Sequence, residues 1–505
     1  MITRRRFLQT VSTGAAAALA PGAAARSAPR SVARRSRERF NVLSICFDDL
    51  NDWIEPLRGH PQVKTPNFNR LAERCVTFNH AYCAAPICNP ARAALLTGVM
   101  PASSSLYYLK PLIRECEATR RAVTLPQQFA RHGYHSVGVG KIFHQRDDLE
   151  FEEYAGTFGA FGPVPEQPVT CGLTHRLWDW GNWPGLTDEM MPDYQIAEWA
   201  GARLQQRFDR PFFLAVGFRR PHVPMYAPPR WFDLYPLEQV ELPPHRESEL
   251  ADVPPYGQDL SWSFVAPRHE WIVRHGEWRH AVQSYLACVS FVDAQLGRLL
   301  DALDRSPHAA NTLIVLWSDH GFHLGTKQRW GKRSLWEPAT HIPLMFAVPG
   351  MRGGRVCERT VGQLDIYPTL MDLCGLPQPM DLQGRSLVPL LEDPQQAWPW
   401  PALTSFGQNN HAVRSENWRY IVYADGSEEL YDHRRDPHEF TNLAREPQHR
   451  EIIERHREWL PQINQPMVAG SADCDARPGS PADIDHRPPG AVPRPDLPPE
   501  RRKRA

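Results

Sequence analysis

A few short stretches hold the side chains of this chain that can do covalent or acid–base chemistry. Asp48 and Asp49 are adjacent, and Asp319 is followed directly by His320. Three carboxylates make a hard oxygen site suited to Ca²⁺, with Mg²⁺ as the alternative. The neutral imidazole of His320 would be a fourth ligand. Lys141, Lys332 and Arg92 can balance an anionic group in transfer and hold its oxygens. His144 and His222 can supply acid and base near neutral pH, and Cys88 offers a nucleophilic sulfur. Each of these taken alone has an ordinary explanation. Paired aspartates cap turns, a lone histidine is more often structural, a lysine is usually solvated, and a cysteine can be a buried cap.

Their position in the chain is what sets them apart. In Cys88-Asn89-Pro90-Ala91-Arg92, the proline suits the first turn of a helix. The run that follows to Leu96 favours helix, and Gly98 is a natural stop. Cys88 therefore belongs at or just before a helix N-terminus, where backbone N–H groups and the dipole favour an anion. Arg92 lies about one turn further in. The apolar run from Asn41 to Phe47 predicts a buried strand ending at Asp48-Asp49. Residues 135–139 predict a strand running into Lys141 and His144, and residues 212–216 one running towards His222. Residues 312–317 repeat the pattern and end at Asp319-His320. In open α/β sheets the ligand lies beyond the C-terminal strand ends, so these groups should converge. Helical patterns over 66–74, 124–132, 194–208, 281–303 and 365–373 alternate with these strands and a further one at 342–348. This predicts a mostly parallel sheet covered on both faces. Residues 151–192 and 227–267 are long excursions able to shape a cleft. From about Asp393 the character changes, to a hairpin around Asp425-Gly426 and a closing helix over 452–460.

The chain has 505 residues, with 57 basic and 57 acidic side chains. That balance gives no reason to expect a nucleic-acid partner. The 16 tryptophans and 49 prolines suit a loop-rich protein with aromatic-lined clefts. The ten cysteines include no Cys-x-x-Cys pair, Cys46, Cys288 and Cys374 fall in apolar runs as expected of buried thiols, and one or two disulfides stay open. Residues 1–25 read as a twin-arginine signal: Thr3-Arg4-Arg5-Arg6-Phe7-Leu8-Gln9, a short apolar stretch, then Ala23-Ala24-Ala25. An ordinary secretory signal is the alternative. No run reaches the roughly 18 apolar residues of a membrane span. The expected organisation is the signal, a basic leader over 26–38, a catalytic domain over 39–392 and a smaller α+β domain over 393–470. A disordered Pro-rich tail over 471–505 would follow, in a bacterial protein exported to the periplasm or secreted.

Cys-x-Pro-x-Arg, followed by Leu96-Thr97-Gly98-Val99-Met100-Pro101, resembles the signature of the type I sulfatases. Val99 stands where that family usually carries arginine. The resemblance extends from about Asn41 to Leu443. It runs through Asp48-Asp49-Leu50, Gly140-Lys141-Ile142-Phe143-His144, Arg220-Pro221-His222-Val223-Pro224, Ser318-Asp319-His320-Gly321 and Glu429-Leu430-Tyr431-Asp432-His433. Within the family it is most similar to the iduronate-2-sulfatase branch, which carries His where many sulfatases carry Asn at position 320.

The resemblance implies an alkaline-phosphatase-like α/β fold: a large mostly parallel or mixed sheet flanked by helices, with a smaller C-terminal α+β domain. It implies that a formylglycine-generating enzyme converts Cys88 to formylglycine, whose hydrate attacks sulfur. It implies a cation on Asp48, Asp49, Asp319, His320 and an oxygen of modified Cys88. Arg92 would orient the hydrate, and Lys141 and Lys332 would hold the sulfuryl oxygens. His222 would protonate the leaving alcohol, and His144 would help expel sulfate. The expected substrate is a sulfate ester, with a uronic-acid-containing saccharide as candidate. A phosphonate or phosphodiester hydrolase of the same superfamily is the rival reading, and a non-catalytic glycan-binding relative a third. His341 reads as structural, while Tyr107, Trp180, Trp183 and Trp336 are candidates for lining a sugar pocket as well as ordinary core aromatics.

Overall fold

The apolar run at Asn41 forms the strand Asn41–Asp48, buried along its whole length. It lies inside an eight-stranded sheet. From one edge to the other the order is Arg355–Gly362, Val76–Tyr82, Leu344–Ala347, Thr312–Ser318, Asn41–Asp48, Phe212–Pro221, His135–Gly140 and Glu153–Tyr154. Asn41–Asp48 pairs in parallel with both neighbours, Ile45 opposite Val216 on one side and Leu316 on the other. Leu344–Ala347 runs antiparallel to both of its neighbours, which makes the sheet mixed. This computed structural model describes residues 39–144, 147–159, 161–170, 177–262 and 266–471. The expected signal, leader and tail beyond Ser471 lie outside the described residues, as do Cys171 and Cys474.

Strand alternation explains the two layers. Leu43, Ile45 and Phe47 pack on one side with the long helix Trp278–Asp304 and with Pro192–Leu204. Val42 and Cys46 pack on the other with Leu95 and Leu96 of helix Cys88–Thr97 and with Leu370 of helix Ile366–Cys374. Each such side chain, fully buried, contributes about 2 kcal/mol. Near the start of Pro66–Ala72, the buried Asp293 of the long helix accepts hydrogen bonds from Asn67 N (3.0 Å) and Phe68 N (2.8 Å). That supplies donors at the helix start with partners its own N-cap, Thr65, does not provide.

Helix Cys88–Thr97 is buried at every residue. Gly98 ends it at φ 74°, where a side chain would meet Leu382 at 2.1 Å. At the other end the N-cap is Ile87, which makes no side-chain cap. The first N–H groups of the helix are therefore not closed off by their own sequence.

Residues Ala402–Ser405, His411–Arg414, Trp418–Val422 and Glu428–Asp432 form a second, antiparallel sheet in that order. Gly426 makes the hairpin turn at φ 84°. Ile421, Tyr423 and Tyr431 share a core with Ala85, Ile87, Ala91 and Trp336. The small sheet thus buttresses the start of the Cys88 helix. Fully buried Arg419 strengthens the junction: it reaches the Glu439 carboxylate at 2.5 Å and pairs with Glu337. Among the described residues eight cysteines are free thiols, Cys46, Cys288 and Cys374 among them and buried. No helix among the described residues is long and apolar enough to cross a membrane.

Candidate active site

The strand ends and the Cys88 helix start meet at one place. Asp48, Asp49, Arg92, Asp319 and His320 are each fully buried there. Cys88 is the first residue of its helix, 2% exposed. Its Sγ lies 2.9 Å from Lys332 Nζ, 3.4 Å from His320 Nε2 and 3.9 Å from Asp49 Oδ1. His144 also hydrogen-bonds the sulfur. Lys332 Nζ reaches Asp49 Oδ1 at 2.7 Å, and Lys141 Nζ reaches Asp48 Oδ2 at 2.6 Å. His222 Nε2 stands 3.9 Å from Asp49 Oδ2, while its Nδ1 faces the Val223 carbonyl. All ten residues singled out by chemical type thus come together.

Arg92, one turn into the helix, ties the arrangement to the sheet. Its Nε donates to Asp319 Oδ2 at 2.9 Å and its Nη2 to Asp48 Oδ1 at 3.2 Å. Nη1 donates to the carbonyls of Lys141 (2.7 Å) and Ile142 (2.8 Å). One planar guanidinium therefore fixes two carboxylates and the strand end that carries Lys141.

Electrostatics follow from this crowding. Burial pushes the Cys88 thiol up, but Lys141, Lys332, His320 and the His144 hydrogen bond outweigh it and hold the thiol well below its usual range. Burial likewise opposes ionisation of Asp48, and Lys141, His222 and Arg92 overcome it. Asp319 is pushed up to about 6 by burial, against the pull of Arg92. The site is a set of mutually compensating buried charges, in a medium where each counts for more than in water.

Two observations fit a divalent cation. Asp48, Asp49, Cys88 and His222 form one group whose ligand atoms lie within 4.8 Å of one another, and Asp49, Cys88, Asp319 and His320 form a second. Asp49 Oδ2 is buried without a hydrogen-bond partner, a condition that costs roughly 1–3 kcal/mol unless something else neutralises it. Asp49 also sits at φ 65°, in the left-handed region that disfavours a residue with a side chain. Its N–H donates to Asp319 Oδ1 at 3.0 Å, and Tyr285 Oη donates to its carbonyl at 2.8 Å. The strain is of the order of 1–3 kcal/mol, and it aims the carboxylate into the cluster. The carboxylates of Asp48, Asp49 and Asp319 are the oxygen donors a hard cation prefers.

Two contributors were not visible beforehand. Arg219 Nη1 lies 3.7 Å from Asp48 Oδ2. It follows the strand parity that sends Arg220 instead to the carbonyls of Tyr226 and Phe161, and that parity could have flagged it. Tyr285 reads in sequence only as one apolar position of a long helix. Tyr107, Trp180 and Trp336 are core residues, each at most 1% exposed. Their polar tips bond inward, Trp336 Nε1 to Glu429 Oε2 at 2.9 Å for example. Trp183 is partly buried, edge-on to Tyr226. His341 stacks on Tyr82 and faces a cavity of ≈ 550 Å³ beside the site, which Asn51, Asp52 and Phe322 also line.

A family profile described as Sulfatase matches residues 40–376, and one described as N-sulphoglucosamine sulphohydrolase, C-terminal, matches residues 325–466. A protein of Formosa agariphila named Sulfatase is 43% identical over 449 residues, covering 85% of this chain and 88% of that one. Human iduronate 2-sulfatase is 32% identical over 396 residues, covering 69% of this chain and 71% of its own. Among solved structures, a phosphonate monoester hydrolase from Silicibacter pomeroyi superposes with TM-score 0.70 at 20% identity, over 83% of this chain and 94% of that one. At that identity the likeness is one of fold.

Proposed function

This chain is a member of the sulfatase family, on a branch like that of iduronate-2-sulfatase, and from that premise we propose a sulfuric ester hydrolase acting on a sulfated saccharide through a formylglycine made from Cys88. The uronic-acid class of sugar is the favoured one, since human iduronate 2-sulfatase aligns over 69% of the chain. The observation that carries the reading is the position of Cys88. Its sulfur marks where a formylglycine oxygen would stand, at an uncapped helix start and within 3.9 Å of Lys332, His320 and Asp49.

Asp48, Asp49, Asp319 and His320 are the residues that would hold a divalent cation, Ca²⁺ by preference. Such an ion would polarise the sulfuryl oxygens and lower the pKa of an oxygen nucleophile. Formylglycine would supply a hydrated aldehyde, with one hydroxyl to attack and a second to expel sulfate. The remaining work falls to this chain's own side chains. Lys332 and Lys141 present ammonium groups to the sulfuryl oxygens, each anchored on an aspartate that fixes its direction. Arg92 holds Asp48 and Asp319 in place from the helix side. His222 donates its Nδ1–H to a backbone carbonyl, and in its imidazolium form the second proton, on Nε2, is the one given to the departing alkoxide, leaving the neutral ring. His144, hydrogen-bonded to the Cys88 position, is placed to take a proton there.

Maturation requires a formylglycine-generating enzyme as partner, and the signal over residues 1–25 directs export to the periplasm or beyond. The enzyme co-produced with such a partner should release sulfate from 4-nitrophenyl sulfate and from a sulfated uronate disaccharide. Its kcat/KM should exceed that on the matching phosphate and phosphonate esters by at least about 10²-fold, roughly 3 kcal/mol of transition-state discrimination. A preference of that size for the phosphonate ester would favour the rival hydrolase.

A further inference from the structure

The sequence is rich in tryptophan, and the site uses almost none of it. Beyond Gly98, at the end of the helix about 15 Å from Cys88, lies a groove of ≈ 160 Å³. One wall is made by Trp398, Trp400 and Pro401 of the segment Ala397-Trp398-Pro399-Trp400-Pro401. Its prolines restrict the backbone and favour an extended path for each residue before them. Trp398 and Trp400 meet edge to face with centroids 4.7 Å apart, and both are only partly buried. Trp459, 40% exposed, lines the same groove. Trp398 packs in part against the core on one side of the sheet, and three indoles that share one groove leave an unusual amount of aromatic surface open to solvent.

Of the two charged residues in the lining, Asp365 is already committed. Its Oδ1 accepts the Arg385 backbone N–H at 2.7 Å and its Oδ2 the Gly362 N–H at 2.8 Å. Arg385 is exposed and its guanidinium lies 5.2 Å from the centroid of Trp400. Its side chain has no hydrogen-bond or ion-pair partner among the described residues. Asp365 is buried, so the charge that the groove presents to solvent is the Arg385 guanidinium, beside an aromatic ring.

We propose that this groove binds one ring of an anionic saccharide polymer, apart from the catalytic centre. A pyranose offers a flat C–H face to an indole while its hydroxyls stay in water, the division that tryptophan suits. A sulfate or carboxylate on the ring meets Arg385. A space of roughly 150 Å³ takes one six-membered ring. Occupied, the groove keeps the enzyme on a polymer between cleavages. The choice of ligand rests on the saccharide-sulfatase reading, but the site does not share a residue with it.

The test is native electrophoresis through gels containing heparin or neutral dextran, with 4-nitrophenyl sulfate hydrolysis measured on the same preparations. The Trp398→Ala/Trp400→Ala variant should bind heparin about tenfold more weakly, and Arg385→Ala should lose the preference for heparin over dextran. Both should keep kcat/KM on the aryl sulfate within about twofold. If the double variant fails to fold, Trp459→Ala and Arg385→Ala carry the test. Unchanged heparin retention in these variants overturns the proposal. So does equal retention on dextran, or a change in sedimentation showing that the groove joins two copies of the chain. Wild-type protein that binds heparin but hydrolyses no sulfate ester would contradict the catalytic reading and leave this one standing.

Discussion

Cys88→Ala should lower sulfate release by at least about 10⁴-fold, as loss of the covalent nucleophile does in other hydrolases, while leaving the fold intact. The thiol is small and contacts mainly Lys332, His320 and Asp49. Lys332 keeps Asp49 at 2.7 Å after the sulfur is gone. The thermal midpoint should therefore move by only a few degrees, the scale of about 1 kcal/mol. Cys88→Ser should fail equally in steady state. A sulfate ester formed on a plain hydroxyl has no second hydroxyl to expel the sulfate. Steady-state activity in the alanine variant near that of wild type, measured by ion chromatography of released sulfate, would remove Cys88 from the mechanism.

Arg92→Ala should be the most damaging change for stability and activity together. Its removal takes from Asp319 its guanidinium partner, leaves Asp48 only the more distant guanidinium of Arg219, and removes a donor from two carbonyls. Breaking a buried ion pair from one side costs about 3–5 kcal/mol, to be read from the urea midpoint. Activity should fall by about 10³-fold in the protein that remains folded, the scale of losing preorganised charge. Arg92→Lys should not restore either quantity, because one ammonium cannot reach both carboxylates and both carbonyls at once. A lysine variant with wild-type stability and turnover would show that Arg92 contributes only net charge.

The central part of the fold was legible because its strands are buried on both faces. Asn41–Asp48 and Thr312–Ser318 read as continuous apolar runs, and each ends on the acidic pair or the Asp-His that it delivers. The start of helix Cys88–Thr97 and its stop at Gly98 were also legible, from proline and glycine chemistry. The sheet edge was not. Val76–Tyr82 and Arg355–Gly362 are partly exposed and carry Asn79, His80, Glu358 and Arg359, so neither shows an apolar run. Leu344–Ala347 looks like its parallel neighbours, and nothing in four apolar residues reveals that it runs the other way. The hairpin around Gly426 was visible from its turn, whereas its partners Ala402–Ser405 and His411–Arg414 are short and carry no turn signal of comparable strength. Aromatic type alone did not separate Trp336, whose indole bonds Glu429 in the core, from Trp459 on the surface.

Within the site, identity and strand position were sufficient to gather the ten residues. Orientation was not. The left-handed turn at Asp49 and the Tyr285 hydroxyl that holds it depend on a helix 236 residues away in sequence. Arg219 differs from Arg220 only in which side of the strand it faces.

What Cys88 becomes decides how sulfate is released. Peptide mass spectrometry across residues 83–92 of protein produced with a formylglycine-generating enzyme tests this most directly. Conversion of the thiol to the aldehyde predicts a loss of about 18 Da on the peptide that contains Cys88, appearing together with sulfate ester hydrolysis. An unmodified cysteine peptide in fully active enzyme would contradict it.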